Sequence, residues 1–65
     1  MTFSEILKEI MIEQNLNQVQ FAKATGIHQT LVSDWLLGRS KPNYDSLKIL
    51  CKALNESADR LLGFK

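Results

Sequence analysis

The chain has 65 residues, of which 45% are apolar and 23% charged, and its net charge at pH 7 is +1. These values predict one small globular domain over residues 1–65, which needs a well-packed core or a partner chain to be stable. No stretch is long and apolar enough to span a membrane, and no signal sequence begins the chain. The low net charge disfavours a protein that coats nucleic acid unspecifically, but it allows a sequence reader with clustered basic residues.

Two helices are predicted in the first part of the chain, each with its own start signal. Helix one spans 2–14, and Thr2 is its amino-terminal cap. Helix two spans 18–24 or 18–25 after the cap residue Asn17. Gly26 then ends this helix, because glycine takes positive φ without strain. The apolar stripe of helix one consists of Phe3, Ile6, Leu7, Ile10 and Met11.

Three more helices follow, so the sequence predicts an all-α protein, a compact bundle of about five short helices. Helix three spans about 28–37 and ends at Gly38. Helix four spans 44–54 after the cap Asn43, and a short helix five spans 58–62. The predicted inward face of helix four consists of Tyr44, Leu47, Leu50, Cys51 and Leu54.

The residue inventory argues against catalysis. His28 and Cys51 are the only residues of their types, so neither a disulfide nor a cysteine-based zinc site can form within the chain. Ser33 and Asp34 are neighbours on a helix and do not face each other. We therefore expect no enzyme, no metal, no cofactor and no small-molecule ligand. The lone thiol suits a reducing, cytoplasmic setting, and we interpret Cys51 as a small buried hydrophobe, like Trp35 in the core.

Residues 18–35 carry the main functional signal. Two short helices meet at a turn through Gly26, and Ile27 closes the turn from inside. Such a corner can be purely structural, but the exposed face of helix three is short and polar. Glutamine can pair with adenine, threonine can touch a thymine methyl group and aspartate can accept from cytosine N4. The base-reading candidates are Gln29, Thr30, Ser33 and Asp34.

Residues on either side of that face suit contacts with the DNA backbone. The start of helix two offers unpaired N–H groups and a helix dipole that attract phosphate. The loop after helix three is polar and basic and flanks the same groove. Each charge alone could belong to a solvated loop, but their coincidence favours a DNA reader. The backbone candidates are Asn17, Gln18, His28, Arg39, Ser40, Lys41 and Asn43.

The stretch NQVQFAKATGIHQTLVSDWLLGRSKP resembles the phage repressor and Cro type of helix-turn-helix, the XRE-like family of transcriptional regulators. The resemblance implies a lambda-repressor-like fold whose third helix enters the major groove of double-stranded DNA. It also implies a homodimer on a palindromic operator, and we expect a repressor. Carried over by position, Gln18 contacts a phosphate or an outer base, and His28 is a cap that touches a phosphate.

Two positions depart from the family pattern. Where many members have a partly buried Arg–Glu ion pair, this chain has Met11 and Leu36, and we predict an apolar contact between them. At Asp34 the family often has a basic or amide residue, and an acid there repels phosphate. Asp34 therefore reads a cytosine, faces away from the DNA, or weakens binding.

A second class of function stays open, in which the same fold is a protein-interaction module such as an antitoxin subunit or an adaptor. An exposed apolar patch around Phe64, Leu61 and Ile12 would favour it. The same patch could instead be a homodimer contact, for which Phe64 and Leu61 are the candidates.

Overall fold

A computed structural model describes residues 2–63, and in that range the chain forms five α-helices and no strand. The predicted all-α class is confirmed, with helix ends close to those expected. The bundle measures 27 × 24 × 22 Å along its principal axes. The helices are α1 (Phe3–Glu13), α2 (Gln18–Thr25), α3 (Gln29–Leu36), α4 (Tyr44–Leu54) and α5 (Ala58–Leu61).

Short polar side chains set the helix starts, as the sequence predicts. The Thr2 hydroxyl accepts from the backbone N–H of Glu5, and the Glu5 carboxylate accepts from Thr2 in return. At the starts of α4 and α5, the side chains of Asn43 and Ser57 each accept a backbone N–H from three residues further on, without the return bond. These bonds satisfy N–H groups that have no partner inside the helix, and a cap contributes about 1 kcal/mol.

One apolar core holds the helices together, and α3 packs against both α1 and α2. Leu7, Ile10 and Phe21 are wholly buried at its centre. Burial of each such side chain contributes roughly 1.5–3 kcal/mol. Phe3 packs edge-on against the ring of Trp35, with 6.1 Å between the centroids. The core consists of Ile6, Leu7, Ile10, Met11, Phe21, Ile27, Val32, Trp35, Leu50, Leu54 and Leu61.

Three long-range polar contacts connect α1 to the carboxyl-terminal half of the chain. The Ser4 hydroxyl donates to the carbonyl of Leu36 at 2.9 Å. The Gln14 side-chain amide donates to the carbonyl of Leu54 at 2.9 Å. Arg60 makes a third link, to Glu13 of α1. These contacts fix α1 against the ends of α3, α4 and α5.

The structure corrects the predicted burial of three side chains. Tyr44 is 74% exposed instead of facing the core, and Cys51 is half-buried. Both border a surface groove along α4 that no other element fills. Leu61 is wholly buried, so its prediction as an exposed dimer contact is wrong. The single turn of α5 packs on α1 and α4 and thereby inserts Leu61 into the core.

The remaining members of the predicted apolar patch are settled only in part. Ile12 is 76% exposed, as expected. Phe64 lies outside the described residues. No helix within residues 2–63 combines the length and the apolar character needed to cross a membrane.

Candidate nucleic-acid interface

The turn between α2 and α3 is held by one glycine and one buried hydroxyl. Gly26 has φ +72°, a left-handed value, and its N–H donates to Ala22. The Thr25 hydroxyl donates to the carbonyl of Phe21 at 2.9 Å and accepts from the N–H of Ile27 at 3.2 Å. Sequence reasoning missed Thr25, although a threonine directly before a helix-ending glycine is a usable signal.

The α3 helix has two distinct faces. Val32 and Trp35 are buried against the core, whereas Gln29 and Thr30 are exposed. The cap is His28, as predicted, and its Nδ1 atom accepts from the N–H of Thr30 at 3.1 Å. With Nδ1 as the acceptor, the neutral ring carries its proton on Nε2, which leaves a donor on an exposed side chain.

Seven predicted site residues border one shallow surface depression, here called the reading surface. It is open to solvent and shallow, so it suits a long, flat partner more than a small molecule. All four predicted base-reading residues lie on it, together with three of the predicted backbone contacts. The reading surface consists of Gln18, His28, Gln29, Thr30, Ser33, Asp34 and Arg39.

The other four backbone candidates lie elsewhere. Lys41 borders a different groove, next to Phe3 and Leu62. The side-chain oxygens of Asn17 and Asn43 are occupied, because each accepts a helix-capping N–H at 2.8 Å. Their side-chain NH₂ groups remain as donors. Ser40 is exposed in the loop.

The one acid on the reading surface is paired with a base. The Oδ1 atom of Asp34 lies 3.9 Å from Nη1 of Arg39. The side chain of Asp34 is 34% exposed and that of Arg39 is 71% exposed. An exposed pair at this distance is weak, so the carboxylate keeps most of its charge.

The Met11 and Leu36 side chains border the same apolar depression between α1 and α3. Met11 is 7% exposed, and Leu36 is half-buried against the core. This placement is what the predicted apolar replacement of an ion pair requires. Because neither side chain carries a charge, the contact has no desolvation cost.

Metal chemistry has no support in the part of the chain that the structure describes. There, no three histidine, cysteine, aspartate or glutamate side chains come close enough together to hold a metal ion.

Comparison with known proteins agrees with this geometry. Residues 7–61 match the model of a family described as helix-turn-helix, and the chain belongs to that family. The predicted resemblance to XRE-like regulators is thereby confirmed.

One curated relative is the HTH-type transcriptional activator BcrR of Enterococcus faecalis. The two are 36% identical over 63 residues, which cover 97% of this chain but 31% of the relative. The chain therefore spans about a third of the length of that relative. No solved structure matches the chain significantly.

Proposed function

We propose that this protein is a sequence-specific, DNA-binding transcription regulator that inserts α3 into the major groove. The observation that carries the proposal is the reading surface, where short polar side chains converge on one exposed side of a well-anchored helix. Membership of the helix-turn-helix family and the name of the relative support it.

The dimensions of α3 suit the major groove. An α-helix with its side chains is about 10–12 Å in diameter, which matches the roughly 12 Å width of the groove, and the eight residues of α3 give it about two turns to place there. Gln29 would pair with adenine and Thr30 would touch a thymine methyl group. Ser33 can hydrogen-bond to more than one kind of base, and Asp34 can accept from cytosine N4. Because Val32 and Trp35 are fixed in the core, the helix reads bases without rearranging.

Contacts with the DNA backbone would come from both sides of the reading surface. The start of α2 presents Gln18 and the positive end of the helix dipole, and His28 offers its Nε2 donor. Lys41 and Ser40 follow in the loop after α3. The NH₂ groups of Asn17 and Asn43 add neutral donors, which position the protein without reading sequence.

Phosphate contacts predict how binding depends on salt. If Arg39 and Lys41 both neutralise phosphates, a dimer makes four such contacts, and log K falls with log salt at a slope of roughly −3.6. If only Lys41 does so, the slope is roughly −1.8. A slope near zero would remove the backbone role of both residues.

We further propose a homodimer on a palindromic operator with half-sites about 34 Å apart. Leu61 does not contribute to the dimer, because it is buried. Its burial also removes Leu61 from the apolar patch that would have favoured a protein-interaction module. Analytical ultracentrifugation with and without operator DNA measures the stoichiometry, and one monomer per operator would contradict the proposal.

Repression is the expected sign of regulation, whereas the relative is named an activator. A reporter gene whose promoter overlaps the operator should be expressed less when this protein is present. Higher expression would make the protein an activator, like the named relative.

Selection from random duplex DNA at moderate salt tests the proposal directly. The wild-type chain should enrich a palindromic motif, and Gln29→Ala should lose its preference at one position of each half-site. Lys52→Ala is the matched control, because Lys52 lies on the groove along α4, and the motif should stay unchanged. If the folded wild-type chain enriches nothing, a protein-interaction module becomes the better explanation.

A further inference from the structure

We propose that Asp34 and Arg39 work as one unit, in which the carboxylate orients the guanidinium toward a guanine of each half-site. This inference rests on the proposed DNA-binding function and changes the role of both residues within it. Arg39 becomes a base reader instead of a phosphate contact, and Asp34 becomes a positioning residue instead of a cytosine reader.

The end of α3 brings the two side chains together. Gly38 has φ +75°, and its N–H donates to the carbonyl of Trp35 at 3.2 Å. The N–H of Arg39 then donates to the carbonyl of Asp34 at 2.9 Å. These two bonds form a Schellman motif, which folds the chain back over the last turn of the helix. Arg39 therefore lies over Asp34 instead of continuing away along the loop.

Arg39 belongs to the reading surface, whereas the neighbouring base Lys41 does not. Arg39 shares that surface with Gln29, Thr30 and Ser33, the residues proposed to contact base edges. A guanidinium that lies among base-reading side chains is placed to meet a base. Lys41, outside the depression, is placed for the backbone.

The chemistry of the pair suits guanine. Guanine presents two acceptors in the major groove, O6 and N7, and arginine donates to both at once. Arginine has five N–H donors in a planar fork, so Nη1 can point to Asp34 while other N–H groups reach the base. A neighbouring carboxylate that narrows the range of guanidinium orientations also reduces the conformational freedom lost on binding.

The position of Asp34 argues against a phosphate role for Arg39. A phosphate beside the guanidinium would lie close to the carboxylate as well, and like charges repel. A guanine edge is uncharged and avoids that repulsion. The exposed ion pair itself contributes little to folding, so its use lies in orientation and not in stability.

Random-sequence selection with wild type, Arg39→Ala, Arg39→Lys and Asp34→Asn tests the inference. In the wild-type motif we expect one guanine per half-site that both Arg39 variants no longer prefer. The expected loss of preference there is roughly 5- to 150-fold, the range for one bidentate contact. Arg39→Lys should fail as well, because a lysine ammonium lacks the planar fork.

Asp34→Asn should weaken the preference for the same guanine and leave other positions unchanged. In the Arg39→Ala background, Asp34→Asn should have no effect at that position, because a positioning residue acts only through its partner. Lys41→Ala is the control, and it should lower affinity equally for all sequences and make the salt slope shallower. All variants should keep the melting temperature of the wild type.

Two results would overturn the inference. Arg39→Ala could weaken binding to all sequences equally and keep the preference for the guanine, which would make Arg39 a phosphate contact. Asp34→Asn could remove a cytosine preference whether or not Arg39 is present, which would make Asp34 a direct reader. Both results presuppose a wild-type motif, so the absence of any motif contradicts the proposed function instead.

Discussion

Two arginines in different surroundings show the difference between a surface for a ligand and a structural contact. Arg39, on the reading surface, is 71% exposed and has a single carboxylate 3.9 Å away. Arg60, in α5, is 31% exposed and contacts two carboxylates, Glu13 at 2.7 Å and Glu56 at 3.0 Å. Arg60 is thus largely occupied by the protein itself, whereas Arg39 keeps most of its donors exposed.

The electrostatic consequences follow the same division. The hydrogen bond from Arg60 lowers the pKa of the Glu13 carboxyl below its ordinary value. The carboxylates of Glu13 and Glu56 in turn raise the pKa of the Arg60 guanidinium. These mutual shifts mean that the charged forms of Arg60 and Glu13 favour the folded chain. Exposed and loosely paired charge is therefore a better guide to the binding face than charge alone.

Removing the Phe21 ring should destabilise the surroundings of both arginines most, because α3 and α5 share one core. The wholly buried ring of Phe21 lies on α2, which packs on both α3 and α4. Phe21→Ala should lower the free energy of unfolding by about 3–5 kcal/mol. That loss is comparable to the whole stability of roughly 3–5 kcal/mol that one small core supplies.

Thermal unfolding followed by circular dichroism, together with NMR signals from α3 and α5, measures this effect. In Phe21→Ala, α3 and α5 should lose structure together. Val19→Ala, at a 48% exposed site of the same helix, should change the stability little. If α3 melted while α5 stayed folded, the two helices would belong to separate folding units.

Placing a charge at Leu36 should have the next largest effect. Leu36 is half-buried in the depression that Met11 also borders, so the carboxylate of Leu36→Glu would lose part of its hydration and the apolar contact with the core. We expect unfolding to require roughly 1–3 kcal/mol less free energy. Leu37→Glu, at a 62% exposed site, is the control. Equal melting temperatures for Leu36→Glu and the wild type would contradict the burial of Leu36.

Adding a side chain at Gly38 should affect the reading surface specifically. A Cβ atom there meets nothing within 4 Å, so the cost comes from the left-handed φ of +75° alone. Gly38→Ala should cost about 1 kcal/mol, and Gly38→Asn less, because asparagine tolerates that conformation. Denaturant unfolding measures the cost. The alanine variant should also weaken the preference for the guanine proposed to be read by Arg39. An unchanged DNA motif would mean that the turn at Gly38 does not position Arg39.

Acid should weaken the Glu13–Arg60 ion pair and thereby cause the smallest loss of stability of the four. Because the folded pKa of Glu13 is lowered, its contribution to stability is complete above the unfolded pKa and disappears as pH falls through the folded one. The loss should develop progressively below about pH 5. Melting temperature measured against pH should fall less steeply in Glu13→Gln than in the wild type.

Arg60→Gln removes the same ion pair from its other side, and the double variant tests whether the two residues act together. The double variant should show the same acid dependence as Arg60→Gln alone. Independent contributions from the two changes would mean that the Glu13 contact is not the source of the effect. DNA binding should be unchanged in both single variants at neutral pH, in contrast to Arg39→Ala.

Local hydrogen bonding is what the sequence determined on its own. The caps Thr2, Asn17 and Asn43 bond to groups three residues away, and Gly26 ends its helix with positive φ. Such choices depend on the chain within one turn, so residue type and spacing are sufficient to predict them. The polar face of α3 follows from the same helical periodicity.

Burial and pairing were decided only by the tertiary structure. Tyr44 and Leu61 both belong to apolar patterns, yet one is exposed and the other is wholly buried, because α5 covers one part of the bundle and leaves a groove along α4. Arg60 meets Glu13 across 47 positions of sequence, a distance over which no local pattern carries information. The fold of the chain, and not its spacing, determined which arginine stabilises the bundle and which lies on the reading surface.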